Sequence, residues 1–192
     1  MVQAKSGNYM VFFPSFRMLE DVGGVLERQL LSDDQKAGEE QPAPAMRLLL
    51  QRSGMSESER EQFLTAFSQP EEEGSLVGLC VMGSIFAEGI DLKGDYLIGA
   101  IVVGPGLPMI SARQEILRKY YDDRGKDGFY YAYQCPGMSR VLQAAGRVIR
   151  TQDDAGCILL LDDRFAQFQY ASMFPREWAG NTCCRLAILH LL

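Results

Sequence analysis

Four polar side chains recur along the stretch 136–151 at spacings of three, four and three: Arg140, Gln143, Arg147 and Arg150. On a helix turning about 100° per residue they fall within an arc of about 80°, while Val141, Leu142, Ala145, Val148 and Ile149 fall in a separate arc of about 120°. One face would pack on a sheet. The other would present guanidiniums and an amide, with no acidic residue in the stretch to neutralise them. Guanidiniums stay charged and bind phosphate oxygens through a planar fork, so this face suits a polyphosphate. The alternative is an amphipathic helix with a solvated basic face. Gly146 costs a helix about 1 kcal/mol relative to Ala, which points to something approaching the backbone there.

A second stretch, Gly83-Ser84-Ile85-Phe86-Ala87-Glu88-Gly89-Ile90-Asp91, follows an apolar run. Its glycines, hydroxyl and carboxylates build a polar loop whose backbone N–H groups can face a ligand. Asp91 could accept from a ribose hydroxyl or orient an arginine, and spacing does not choose between these. A structural turn built on the glycines is the competing reading.

These residues need a scaffold. Asn8–Phe13, Met46–Gln51, Leu76–Met82, Tyr96–Val103 and Cys157–Leu161 are short apolar runs that read as strands. Helical segments are expected at Phe16–Leu31, Ser56–Phe67, Ser111–Tyr121, Pro136–Arg150 and Arg164–Met173. Ser56 and Glu59 have the spacing of a capping box. Gly23-Gly24 is expected to bend or fray the first helix, and polar, proline-bearing Ser32–Ala45 is expected to be a mobile loop. Buried strands alternating with helices predict an α/β fold with a mainly parallel sheet of about five or more strands flanked by helices. Ligands of such folds sit at the carboxyl ends of strands, which directs attention to Pro14-Ser15, Gly83–Asp91, Gly104–Pro108 and Asp162-Asp163.

The 192 residues suffice for one well-buried domain, and the net charge of −6 requires any nucleic-acid phosphate to meet a local basic surface. Five cysteines without a CxxC pair, and the lone His190, give no metal site and read as free thiols in a reducing cytosol. No stretch is long and apolar enough for a membrane span, so a soluble, cytoplasmic, bacterial-type intracellular protein is expected. Tyr130-Tyr131-Ala132-Tyr133 reads as core or interdomain packing ahead of base stacking.

Taken together, the two stretches carry a resemblance. Gly83–Asp91 resembles motif V, and Gln143-Ala144-Ala145-Gly146-Arg147-Val148-Ile149-Arg150 resembles motif VI (QxxGRxxR), of superfamily 2 helicases. Their forms are similar to those of the XPD/DinG branch. Val11-Phe12-Phe13-Pro14-Ser15-Phe16 resembles its motif IV, and Leu160-Leu161-Asp162-Asp163-Arg164-Phe165 the strand end after motif VI. The resemblance runs from about Tyr9 to Phe165.

It implies the second RecA-like motor domain of an ATP-dependent DNA helicase, with a three-layer fold. Arg150 would be the arginine finger on ATP and Arg147 a second phosphate or interdomain contact. Gln143, Gly89 and Asp91 would line the nucleotide side, and Ser15, Gly83 and Ser84 would contact the backbone of single-stranded DNA. ATP and Mg2+ would be shared with the first RecA-like motor domain of the same protein. No P-loop, Asp-Glu-Ala-His box or iron–sulfur cysteine set occurs in the chain. Residues 1–192 are therefore expected to be a helicase C-terminal domain, a fragment of a larger protein that is inactive alone. The rival readings are a non-catalytic interaction or regulatory domain that keeps the motor fold, and the ATPase half of a helicase-like nuclease.

Overall fold

A computed structural model describes residues 5–36, 46–69, 74–84, 86, 97–149, 155–178 and 180; for 32–36 it describes the backbone alone. Five strands form one sheet: β1 (Gly7–Phe13), β2 (Met46–Leu50), β3 (Ser75–Val81), β4 (Gly99–Val103) and β5 (Cys157–Leu161). Their order is β2-β3-β1-β4-β5, and every pairing is parallel. The α/β expectation therefore holds, with each strand within a few residues of its predicted place.

Period-two alternation explains the layers. On β1, Met10 and Phe12 enter one core with Leu76, Cys80, Ala100 and Val102, while Tyr9, Val11 and Phe13 enter another with Val77, Leu79 and Ile98. The first core is roofed by α2 (Glu57–Ala66) and α4 (Cys135–Ala145), through Phe63, Met138, Val141 and Ala144. The second is covered by α1 (Phe16–Lys36), through Leu19, Val22 and Leu26. A further helix, α3 (Ala112–Asp122), precedes a π-helical turn at Tyr130–Gln134 that runs directly into α4. A four-residue helix, α5 (Phe168–Ala171), follows the β5 end.

The capping box at Ser56 and Glu59 is formed, each side chain bonding the other's backbone N–H. Gly23 does not fray α1. It is buried, and a Cβ there would lie 2.7 Å from Leu50 Cδ2, so the missing side chain lets α1 sit close to the sheet. Residues 32–36, expected within a loop, continue α1 to Lys36; the remainder of that loop, 37–45, lies outside the described residues. Burial pushes the Cys80 thiol pKa up, whereas Cys157 is an exposed free thiol. Among the described residues no helix is long and apolar enough to cross a membrane.

Candidate functional site

At the carboxyl edge of the sheet, β1 ends at Phe13 and the chain turns through Pro14 into α1. Ser15 caps that helix, its hydroxyl accepting from Met18 N at 3.3 Å. No acidic residue occupies the first turn of α1, so the positive end of the helix dipole is not offset there. Beside it, Met82 N donates to Phe13 O at 2.8 Å, and the chain leaves β3 through Gly83, whose φ of +71° is a left-handed conformation that favours glycine. Ser84 N closes this turn on Val81 O, and the Ser84 hydroxyl has no hydrogen-bond partner among the described residues. Ser15, Gly83 and Ser84 therefore share one edge.

The arginine segment departs from the expected single stripe. Helix α4 starts at this same carboxyl edge: a Cβ on Gly137 would lie 2.5 Å from Pro105 O. It then runs antiparallel to the strands and stops at Ala145, five residues short of Arg150 on the expected helix. The last turn tightens, with Arg147 N bonding Ala144 O and Val148 N bonding Ala145 O. Gly146 caps the helix, and just beyond it Val148 is buried in the core, packed on Gly156 before β5. Only Arg140 and Gln143 are thus on the helix.

Arg147 follows the helix end, at the amino edge of the sheet, opposite Gly83 and Ser84. Gln143 is exposed two residues before the helix end, and Arg147 is half-buried. Gly89, Asp91 and Arg150 lie outside the described residues.

Arg140 holds a place that its spacing did not reveal. Its Nη1 donates to Gly106 O at 3.2 Å, and its Nε lies 3.2 Å from the position of a Cβ on Gly83. It bridges the turns after β3 and β4, a juxtaposition that depends on the loop 104–108 and leaves no mark in a helical wheel. Two other candidates are spent internally. Asp162, at the β5 end, forms a bidentate pair with Arg164 at 2.8 Å for each bond. That pairing holds the Asp162 carboxyl below the usual range. Tyr133 is buried and donates to Glu115, while Tyr131 stacks on Tyr121 with ring centroids 4.3 Å apart. The tyrosine run thus packs against α3.

A parallel five-stranded sheet with helices on both faces, glycine turns at one edge and the Gln143–Arg147 segment descending to the other, defines a RecA-like domain. The helicase C-terminal domain profile matches residues 1–181, and the chain belongs to that family, in its XPD/DinG branch. A probable ATP-dependent helicase of Methanocaldococcus jannaschii is 26% identical over 177 residues, covering 88% of this chain and 25% of the relative. The ATP-dependent DNA helicase YoaA of Escherichia coli is 32% identical over 99 residues, 50% of this chain and 15% of that protein. A solved XPD chain in its apo form superimposes with a TM-score of 0.62 at 19% identity, over 89% of this chain and 31% of that one. The chain thus spans about a quarter of the first relative and under a third of the XPD chain.

Proposed function

We propose that this chain is the second motor domain of an ATP-dependent DNA helicase, completing an ATP site at one edge of its sheet and gripping single-stranded DNA at the other. The observation that carries this reading is the course of α4. It joins the carboxyl edge, with Ser15, Gly83 and Ser84, to the amino edge, with Arg147. A rigid helix between the two ligand edges is what a motor needs to relate nucleotide state to strand grip.

Arg147, at the amino edge, and Arg150 are the residues that would meet phosphate oxygens of ATP, and Gln143, Gly89 and Asp91 would complete the nucleotide side. Arg150 as a finger would stabilise charge developing on the transferred phosphoryl group, a contribution of about 10³–10⁵ in rate. The metal would neutralise phosphate charge, together with the first motor domain. At the carboxyl edge, the start of α1 and the N–H groups of the Gly83 turn suit the phosphates of a strand.

In the full-length helicase, Arg150→Ala is expected to lower ATP turnover while changing nucleotide affinity much less. Near-normal turnover would remove Arg150 from the finger role. The isolated chain is expected to hydrolyse ATP negligibly, and robust DNA-stimulated turnover by it would overturn the assignment.

A further inference from the structure

Beyond the Gly83 turn, the carboxyl edge opens into a cavity of about 500 Å3 between the loop 104–108 and the start of α3. Pro108, Met109, Leu117 and Pro136 form its apolar wall, and Arg113 and Arg140 also line it. The polar groups that also line it, Ser111 and Gln114, are engaged: Ser111 Oγ accepts from Gln114 N at 3.3 Å, and Gln114 Nε2 donates to Ala132 O at 3.1 Å. Arg113 is exposed and makes no hydrogen bond or ion pair among the described residues, and Arg140 spends only Nη1, on Gly106 O.

Charge is segregated around α3. Glu115, the acid nearest Arg113 on the helix, turns to the neighbouring smaller cavity, where it pairs with Arg118 at 3.8 Å and accepts from Tyr133. Among the described residues no carboxylate lines the larger cavity. In a chain of net charge −6, two arginines lining one open apolar-walled cavity without an acid are the residue types an anion would need there. Arg140 also borders Gly83, so the cavity adjoins the edge assigned above to the strand.

We infer that this cavity is a further nucleic-acid subsite. A phosphodiester of the single strand binds between Arg113 and Arg140, with its sugar and base edge against Leu117 and Met109. The subsite rests on the nucleic-acid reading of the Gly83 edge and extends the strand's path beyond the helicase motifs, onto α3.

The test is binding of a fluorescein-labelled oligothymidylate to the chain by anisotropy across a salt series, for wild type, Arg113→Gln, Arg140→Gln and Leu117→Glu. Arg113 supports no other element, so its substitution keeps the test valid if the Arg140 variant fails to fold. Each arginine variant is expected to bind severalfold more weakly and to flatten the slope of log affinity against log salt by about 0.7, one phosphate contact on a single strand. Leu117→Glu, which sets a carboxylate in the wall, is expected to weaken binding at low salt. Wild-type binding with an unchanged affinity and slope in Arg113→Gln overturns the subsite alone. No salt-dependent binding by the wild type overturns the nucleic-acid reading and the subsite together.

Discussion

Arg140 Nη1 reaches the carbonyl of Gly106 across 3.2 Å and so ties the middle of α4 to the turn after β4. The rest of the side chain fills the space over Gly83, whose φ of +71° only glycine adopts without strain. Gly83→Ala would add the left-handed cost of an L residue, about 1–2 kcal/mol, and push its Cβ to 3.2 Å from Arg140 Nε. The expected outcome is a lower urea midpoint with an unchanged slope, accompanied by weaker oligothymidylate binding. An unaltered midpoint would mean that the turn relaxes without disturbing Arg140.

Gly78 has a different reason for lacking a side chain. It lies in β3, and a Cβ there would approach Phe67 Cζ at 2.7 Å and Phe63 Cζ at 3.1 Å. Both rings are buried, and Phe63 also packs on Phe86 with centroids 4.5 Å apart, so neither has room to retreat. Gly78→Ala is expected to cost about 1–3 kcal/mol through overpacking, measured by thermal or urea unfolding. A neutral or stabilising result would show that the ring stack yields.

Most of the scaffold was legible in the sequence because β-branched and aromatic runs with glycine or proline at their ends leave few other options. Cys157–Leu161 and the Ser56 capping box are found where the pattern placed them. The arginine stripe was not fully legible, because a helical wheel assumes that the helix continues. Helix α4 instead ends at Ala145 with Gly146 as its cap, and the chain beyond it carries Val148 into the core against Gly156. The same blindness hid the Arg140 bridge, which needs the fold of the loop 104–108. Asp162 was one of the candidate edge carboxylates, and its engagement with a residue two positions away became visible only with side-chain geometry.

The Asp162–Arg164 pair gives the carboxyl edge a pH dependence with a definite sign. The Arg164 guanidinium, together with burial-opposed backbone bonding from Arg164 N at 2.9 Å, lowers the Asp162 pKa below its unfolded value. The stabilisation is therefore fully present above the ordinary aspartate pKa of about 3.9, and is lost as pH falls through the lower folded value. The Arg164 side chain is 43% exposed, so solvent screens the ion pair, and the backbone cap at the start of the 163–166 turn adds to the effect. Asp162→Ala is expected to cost about 1 kcal/mol near neutral pH. Unfolding curves of wild type and variant should converge as pH drops below the aspartate range. A gap that persists unchanged in acid would mean that the Asp162 charge contributes nothing, and that the turn is held by packing of Phe165 alone.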